Sequence, residues 1–327
     1  MNDIKQYFKM HEIECTEMNG RIIDKKNYLY TVRTSDGEVV QMKTVNNLST
    51  QDIFVGDFVE FIDYEAGGYL IVKVLPRISS VSKQTSHASK SFHTAEGEQI
   101  LAANVDQIFI LIAADQRFTL PKFERYVLTF NRKNISLHVL ISKGDYSDRA
   151  EEIRSRILSV YPDFEITVFS NFQKSTVETV KTLFQKDGTA ILIGSSGAGK
   201  STLLNQLLES DEILTNEVRR DGKGRHTTTT TRMLYVGSVN AYIIDSPGFK
   251  TISTTNQMDE YVLFGDIKRL ADGCKFNDCT HVHEPGCRVL NAVDTGEITE
   301  AYYKRYLENR RIVNGQMRHE ARKKRMR

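Results

Sequence analysis

The sequence lacks a long hydrophobic segment: it has no run of about eighteen consecutive apolar residues, the length that a transmembrane helix requires. Its first residues, MNDIKQYFKMHEIEC, lack the apolar stretch of a secretory signal peptide. These absences argue against a secreted or membrane-spanning protein. We therefore expect a cytoplasmic protein with no membrane partner.

Cysteine is also scarce, and its placement is uneven. Cys15 stands alone, whereas Cys274, Cys279 and Cys287 lie close together in the sequence. One isolated and three clustered cysteines favour metal binding in a reducing compartment over a framework of disulfides.

The three clustered cysteines and His281 have the spacing C-x4-C-x-H-x5-C. Three thiolates and one imidazole are enough for a closed tetrahedral site that holds one structural Zn²⁺. His283 is an alternative ligand on the same loop. The other interpretation, three small buried side chains, lacks a local core, because the surrounding residues are rich in Asp, Asn, Gly and Pro. Metal binding would supply the folding energy that so small a segment lacks.

Positive charge is concentrated at the C-terminal end, although the net charge of the whole chain is only +2. Residues 302–327 contain ten Lys or Arg and two Glu, so the remainder of the chain is net negative. One interpretation is a solvated helix end. We favour neutralisation by a polyanion, which makes nucleic acid the expected partner.

The first eighty or so residues have the pattern of short strands. Alternating segments at 29–33 and 39–43 flank an Asp-Gly turn signal, and segments at 58–63 and 69–75 flank a Gly-Gly pair. Several short strands without a long helix between them predict a small barrel of the OB type. Residues 79–97 are rich in Ser, Lys, His and Thr, which predicts a linker.

From residue 107 onward, apolar strands alternate with amphipathic helices. We expect strands at 107–113, 136–141, 166–169 and 189–193, with helices between them. Ser175 and Glu178 have the spacing of a capping box, which predicts a helix start at that serine. Such alternation is typical of a mostly parallel sheet covered on both faces.

A glycine-rich segment between the strand TAILI and the helical STLLNQLLES fits the phosphate-loop pattern G-x-x-x-x-G-K-[ST]. Its residues are Gly194, Ser195, Ser196, Gly197, Ala198, Gly199, Lys200 and Ser201. Its backbone N–H groups would cradle phosphates at the helix N-terminus. Lys200 would span the β- and γ-phosphates and Ser201 would ligate Mg²⁺. Thr202 is the last residue of this segment that we expect to contact GTP. The alternative is a strand-to-helix turn that binds nothing.

A second apolar strand ends at Asp245 in the sequence D-S-P-G. Asp245 would hold Mg²⁺ through a water, and the N–H of Gly248 would sense the γ-phosphate. The preceding polar segment contains five consecutive threonines, residues 227–231, and we expect it to become ordered when GTP binds. Thr228 or Thr229 would complete the Mg²⁺ shell. Accidental enrichment of threonine in a loop is the alternative.

The segment that we expect to distinguish guanine from adenine follows the strand SLHVLI. It consists of Ser142, Lys143, Gly144 and Asp145. The Asp145 carboxylate can accept hydrogen bonds from N1–H and the exocyclic amine of guanine, a pair that adenine does not offer. The stem of Lys143 would cover the ring plane. Ser170 and Asn171, after the next strand, would offer a backbone N–H to guanine O6. The sequence therefore predicts GTP as the ligand.

These segments together resemble those of the circularly permuted GTPases, because the base-reading segment precedes the phosphate loop. With a barrel before them and a cysteine cluster after them, the chain resembles the ribosome small-subunit-dependent GTPase A (RsgA/YjeQ) family. The resemblance implies an OB domain, a permuted GTPase core, a zinc-binding C-terminal domain and a role in maturation of the small ribosomal subunit. Family members usually have Asn at the position of Ser142, where it braces the phosphate loop. This departure predicts weaker nucleotide binding.

The expected domains are an OB-like barrel at 1–84, a linker at 85–100, a permuted GTPase domain at 101–255 and a zinc-binding domain with a basic helical tail at 256–327. We expect a monomer whose partners are GTP or GDP, the small ribosomal subunit and its rRNA.

The position after D-S-P-G, where related switch GTPases have a water-orienting Gln, is Phe249. Intrinsic hydrolysis should therefore be slow, and a partner should complete the site. His226 is a candidate for orienting the water in the catalytic step, in which Lys200 and a threonine also take part; a solvated loop histidine is the alternative. Two other functions remain open: a P-loop ATPase or kinase, and an RNA-binding protein with a vestigial nucleotide site.

Overall fold

The computed structural model describes residues 3–10, 12, 14–46, 48, 52–64, 67–84, 98–130, 134–208, 231–245 and 263–311. The described residues form two compact units. Of the described residues, those up to 84, 98–120 and 126–245 belong to the first unit, and 121–125 and 263–311 belong to the second.

The N-terminal part of the first unit is a closed five-stranded barrel. Its strands are β1 Asn19–Lys26, β2 Leu29–Thr34, β3 Val39–Thr44, β4 Phe58–Tyr64 and β5 Gly68–Val74. They pair in the order β1-β2-β3-β5-β4, and antiparallel pairing of β4 with β1 closes the barrel. The predicted OB-like barrel is confirmed. Helix α1, Asp3–Met10, adds Ile4 and Phe8 to an apolar cluster with Phe58 and Leu75.

The stretch predicted as a linker begins with regular structure. Strand β6, Ser80–Gln84, pairs antiparallel with β7, Glu98–Ala103, in a separate two-stranded sheet. The prediction of a linker from residue 79 is therefore wrong for residues 80–84. The sequence SVSKQ has little apolar content, and its strand is defined by pairing with a segment some fifteen residues away.

The remainder of the first unit is an α/β sheet. Its elements are β8 Gln107–Ala113, α2 Leu120–Phe130, β9 Ser136–Ser142, α3 Ser147–Leu158, β10 Ile166–Val168, α4 Lys174–Lys181, β11 Thr189–Gly194, α5 Lys200–Leu208, β12 Arg232–Val236 and β13 Ala241–Asp245. The spatial order is β10-β9-β8-β11-β13-β12. All neighbouring pairs are parallel except β12 with β13. Nearly every residue of β8 and β11 is buried, as expected for strands covered on both faces.

Helix α4 begins one residue before the predicted capping serine. Gln173 occupies the N-cap position and its side chain makes no capping hydrogen bond, so Ser175 lies within the first turn. The capping-box prediction is therefore wrong, although a helix is present at this place.

The α/β sheet continues into the barrel, because β1 pairs with β12 as well as with β2 and β4. Asp24 is the residue opposite Arg232, and the two side chains form an ion pair at 3.5 Å. The buried Arg21 donates to the carbonyl of Asn104 at 2.9 Å, and its guanidinium lies 5.4 Å from the ring centroid of Tyr242 on β13. The barrel and the α/β sheet are thus one continuous hydrogen-bonded sheet.

The second unit is helical around its own core. Helices α6 Gly265–Ala271 and α7 Arg288–Asp294 are followed by a helix at residues 300–311, here α8. Residues 121–125 of α2 also belong to this unit. Among them, Glu124 is fully buried, forms an ion pair with Arg305 at 3.0 Å and accepts a hydrogen bond from Asn309 at 2.8 Å. None of the helices in the described part of the chain has the length and apolar character needed to cross a bilayer.

Candidate nucleotide and metal sites

The phosphate-loop segment lies between β11 and α5. The backbone has positive φ at Gly194 (150°), Gly197 (76°) and Gly199 (87°), a conformation that side chains other than glycine adopt at a cost. At Gly194 a Cβ would lie 2.4 Å from the carbonyl oxygen of Leu111 on the neighbouring strand. The loop therefore needs glycine both for its turn and for its close approach to β8.

Lys200 is folded back onto the loop that precedes it. Its ammonium donates to the carbonyl of Gly194 at 2.8 Å and to that of Ser195 at 2.7 Å. These contacts place the ammonium inside the curl of the loop, next to the backbone that would surround a phosphate.

Ser142, at the end of β9, is fully buried and reaches the phosphate loop. Its hydroxyl donates to the carbonyl of Ala198 at 2.8 Å, across 56 positions of sequence. The serine thus contacts the loop that the asparagine of the resembled family is expected to brace.

Lys143 adopts a left-handed backbone conformation with φ of 58°. Its ammonium forms an ion pair with Asp115 at 2.5 Å, so its stem lies along the cleft wall between β8 and β9. At Gly144 a Cβ would lie 2.9 Å from Val168, which explains a glycine at that position.

Asp145 is oriented by the loop after β10. The buried Ser170 donates its hydroxyl hydrogen to the Asp145 carboxylate at 2.9 Å, and the same hydroxyl accepts from the N–H of Phe172 at 3.2 Å. The carbonyl of Asn171 accepts from Gln206 of α5 at 2.6 Å. The two loops predicted to meet the purine are therefore hydrogen-bonded to each other and to the helix after the phosphate loop.

A single cleft of about 950 Å³ joins these loops. It is lined by Asp115, Lys143, Asp145, Tyr146, Asn171, Phe172, Ser196, Gly197, Gly199, Lys200, Ser201, Thr202 and Gln206. Five further residues of the predicted site do not line the cleft directly: Ser142, Ser170, Gly194, Ser195 and Ala198. The structure thus brings together the predicted phosphate and base segments, although they are far apart in sequence.

Asp245 ends β13, which runs parallel to β11 with Ile244 opposite Ile191. The parallel register places Asp245 at the same edge of the sheet as the phosphate loop. Five further residues with predicted roles, His226, Thr228, Thr229, Gly248 and Phe249, lie outside the described residues.

Sequence reasoning missed several side chains that line the cleft or contact the phosphate loop. Asp115 and Gln116 follow β8 in an ordinary polar turn, and no spacing rule identifies them. Tyr146 directly follows the base-reading segment and Phe172 directly follows Asn171; their positions next to predicted loops are a signal that could have identified both. The Phe172 side chain is 90% exposed, which is unusual for so large an apolar group.

The metal cluster in the second unit unites Cys274, Cys279, His281 and Cys287. Their possible ligand atoms all lie within 4.8 Å of one another, and three of the four residues are buried. The Nδ1 atom of His281 lies 3.5 Å from the sulfur atoms of both Cys274 and Cys287, and those sulfurs are 3.9 Å apart. The alternative ligand His283 is outside this group. The four residues form a site for a metal ion.

Charged and polar groups hold the loop that carries these ligands. The Glu284 carboxylate accepts hydrogen bonds from the hydroxyl and N–H of Thr280 and from the N–H groups of the two residues before it. The hydroxyl hydrogen bond from Thr280 holds the pKa of Glu284 far below its usual range. Tyr303 donates to the carbonyl of His281 at 2.6 Å, which ties the loop to α8.

Burial raises the pKa of the Cys279 thiol to about 12. A cation bound here would have to displace that proton, since thiols ligate metals as thiolates.

Comparison with known proteins points in the same direction as this geometry. A family model described as RsgA GTPase matches residues 74–255. The small ribosomal subunit biogenesis GTPase RsgA of Methanosarcina acetivorans is 35% identical over 255 residues, 77% of this chain and 67% of that protein. Its namesake from Phocaeicola vulgatus is 32% identical over 306 residues, 89% of this chain and 95% of that protein. The crystal structure of YjeQ from Thermotoga maritima is similar at a TM-score of 0.61 and 26% identity, covering 91% of this chain and 99% of that one.

Proposed function

Because this chain belongs to the RsgA GTPase family, we propose that it hydrolyses GTP in the biogenesis of the small ribosomal subunit, at a late maturation or checkpoint stage. The two relatives are named for that process, and one of them matches 89% of this chain. The observation that carries the proposal is the single cleft shared by Asp145 and the phosphate loop.

The triphosphate would lie on the loop from Gly194 to Ser201. Backbone N–H groups and the N-terminus of α5 favour negative charge at this place. Lys200 now donates to loop carbonyls at 2.7 and 2.8 Å, and its ammonium has three donors to share with β- and γ-phosphate oxygens.

Guanine would be selected by Asp145. Its carboxylate is already held by Ser170 at 2.9 Å, so the atoms that face the base are oriented before it binds. Adenine would leave this acceptor without its donor pair, a mismatch that binding sites discriminate strongly. Lys143, pinned by Asp115, would cover one face of the purine.

The Mg²⁺ ion that accompanies GTP would be bound by Ser201 and, through a water, by Asp245. Both lie at the carboxyl edge of the sheet, at the start of α5 and the end of β13. Thr228 or Thr229 would complete the shell, Gly248 would contact the γ-phosphate and His226 would orient the attacking water.

We assign Zn²⁺ to the cluster in the second unit. A tetrahedral ion with bonds of about 2.3 Å to sulfur and 2.0 Å to nitrogen separates its ligands by about 3.8 Å (S to S) and about 3.5 Å (S to N). The 3.9 Å between the sulfurs of Cys274 and Cys287, and the 3.5 Å from each sulfur to His281, agree with these separations. With four protein ligands and no open position, the role of the ion is structural.

The proposed partner is the small ribosomal subunit and its rRNA, which would also stimulate hydrolysis. Phe249 in place of a water-orienting Gln predicts that the isolated protein is a slow GTPase. The basic residues at the C-terminal end would contact phosphate backbone. We also propose the four-part division at residues 84, 100 and 255, with a monomer as the acting form.

Titration of the protein with GTP, GDP and ATP in the presence of Mg²⁺ tests the proposal. Guanine nucleotides should bind at least about 100-fold more tightly than ATP, because two charge-assisted hydrogen bonds are lost with adenine. Equal affinity for ATP would favour a P-loop ATPase or kinase. Failure to bind any nucleotide would favour an RNA-binding protein with a vestigial site.

A further inference from the structure

Gln116 contacts the phosphate loop from outside the nucleotide cleft. Its Nε2 donates to the carbonyl of Ser196 at 2.9 Å, and its Oε1 accepts from the hydroxyl of Ser195 at 2.7 Å. One amide therefore holds two consecutive residues of the loop, one through the main chain and one through the side chain. Gln116 is not among the residues that line the cleft.

The backbone of Gln116 is itself anchored. Its N–H donates to the carbonyl of Ala113 at 3.1 Å, and the neighbouring Ala114 donates to the carbonyl of Ser142 at 3.0 Å. The turn after β8 is thereby fixed to the ends of β8 and β9, and the amide projects from a rigid support.

Close packing at Gly197 brings the loop against the same amide. A Cβ at Gly197 would lie 2.9 Å from the Nε2 of Gln116. The approach is possible because residue 197 is a glycine with φ of 76°. The Gln116 side chain thus makes two hydrogen bonds to the phosphate loop and packs closely against Gly197.

Such a loop needs external support. Its three glycines with positive φ leave many backbone conformations open, so contacts from outside the loop are needed to select one of them. Lys200 holds the carbonyls of Gly194 and Ser195, and Ser142 holds that of Ala198. The Lys200 ammonium is expected to turn toward the phosphates, whereas Gln116 and Ser142 keep their carbonyls directed away from the ligand.

We propose that Gln116 is a positioning residue for guanine-nucleotide binding, which fixes the phosphate loop in its ligand-ready conformation through Ser195 and Ser196. The inference rests on the proposed function, since the ligand of the loop is taken to be GTP or GDP. Gln116 acts through the loop and does not touch the nucleotide.

The first test compares Gln116→Ala with the wild-type protein by titration with GDP and with a non-hydrolysable GTP analogue. Both dissociation constants should rise about tenfold, the cost of losing two neutral hydrogen bonds. Turnover at saturating GTP should change by no more than about twofold, because the loop is supported equally in ground and transition states. The matched control is Gln173→Ala, an exposed glutamine beyond the cleft, which should bind as the wild type does.

Gln116→Glu separates positioning from general support of the fold. The carboxylate keeps the acceptor for Ser195, loses the donor to Ser196 and adds negative charge near the phosphates. Affinity should fall further than in Gln116→Ala, and the additional loss should shrink as salt is raised. Equal thermal stability of the nucleotide-free variants should accompany this loss.

Ser195→Ala completes a double-mutant cycle. In the wild-type background it should weaken GDP binding, and in the Gln116→Ala background it should add little, since the two groups bond to each other. Full additivity would overturn this inference but not the proposed function. GDP binding by folded Gln116→Ala within about twofold of wild type would have the same consequence. A wild-type protein that binds no guanine nucleotide would overturn the proposed function and this inference with it.

Discussion

At the scale of single residues, we propose that the Asp145 carboxylate determines the choice between guanine and adenine. It lies on the cleft wall, and the hydroxyl of Ser170 fixes one of its oxygens at 2.9 Å. A carboxylate can accept about four hydrogen bonds, so this contact orients the group without exhausting it. On this proposal, the loss of affinity for adenine nucleotides relative to guanine nucleotides depends on the Asp145 side chain.

Asp145→Asn should lower GTP affinity by about 100-fold and leave ATP affinity nearly unchanged. The amide oxygen can accept only one of the two guanine hydrogen bonds, and without a full charge; the amide NH₂ faces the other guanine donor, so one hydrogen bond is lost and one repulsive contact appears. Competition titrations with both nucleotides measure the effect. Asp148→Asn, an exposed change at the start of α3, is the matched control. Retention of the GTP preference in Asp145→Asn would remove this residue from base recognition.

Site residues that belong to a motif of fixed spacing could be identified from the sequence. Site residues whose role depends on a contact between distant parts of the chain could not. Lys200 and Asp145 follow strands at fixed offsets, which is why motif reasoning placed them at one sheet edge. The bonds from Gln116 to Ser195 and from Ser142 to Ala198 join positions 79 and 56 residues apart. Their existence depends on the conformation of the glycine-rich loop, which no local pattern specifies.

At the scale of elements, the unit of β11, the phosphate loop and α5 depends on Gly194. This residue combines φ of 150° with direct contact to the carbonyl of Leu111 on β8. Both features follow from pairing β11 parallel to β8 up to the first residue of the loop.

Gly194→Ala should destabilise the protein by about 1–3 kcal/mol and abolish tight GDP binding, because the new methyl group meets backbone at 2.4 Å and must displace the loop. Gly237→Ala is the control: a Cβ there has open space around it, so stability and affinity should be unchanged. Thermal unfolding with and without GDP measures both quantities. Wild-type behaviour of Gly194→Ala would show that the loop does not require glycine there.

We propose that folding of the second unit depends on the metal cluster. Cys279 and Cys287 belong to the same apolar cluster as Phe264 and Tyr306, so the ligands are part of the core as well as of the site. Loss of the ion should therefore disrupt the packing of this apolar cluster as well as the metal coordination.

Cys279→Ser should reduce bound zinc from about one to near zero per chain and unfold the second unit, since binding of a structural zinc supplies folding energy. Cys15→Ser, outside the cluster, should keep its zinc. Metal analysis and hydrogen exchange of residues 263–311 measure the outcome. Full protection of that segment in zinc-free Cys279→Ser would contradict a structural role.

Strand and helix positions followed from periodicity where the elements are apolar, as in β8 and β11. The prediction failed at β6, whose five residues include two serines, a lysine and a glutamine. It also failed at the start of α4, where the helix begins at Lys174 without a side-chain cap. At β6, long-range pairing with β7 outweighs local preference.

At the scale of the whole molecule, the order of segments along the chain is permuted while the sheet is intact. The base-reading strands β9 and β10 precede the phosphate-loop strand β11 in sequence, yet β8 lies between β9 and β11 in space. Pairing of β12 with β1 connects this sheet to the barrel. The sheet edge that carries the proposed nucleotide site and the barrel therefore belong to one hydrogen-bonded sheet.

The basic C-terminal end should contribute to subunit binding in a salt-dependent way. Replacing the six Lys and Arg of residues 312–327 with Gln should weaken binding to isolated small subunits and flatten its dependence on salt, because fewer counterions are released. Binding measured across a range of salt concentrations tests this, with GDP affinity as the control that should stay constant. An unchanged salt slope would exclude the tail from contact with RNA.

The most direct measurement is the rate of phosphate release from GTP with and without isolated small ribosomal subunits. We expect slow release from the protein alone and an increase of at least about two orders of magnitude with subunits, since completion of a GTPase site by a partner gains ~10³–10⁵-fold. ATP should not be hydrolysed faster in either case. Equal GTP rates with and without subunits, or equal stimulation with ATP, would contradict the account.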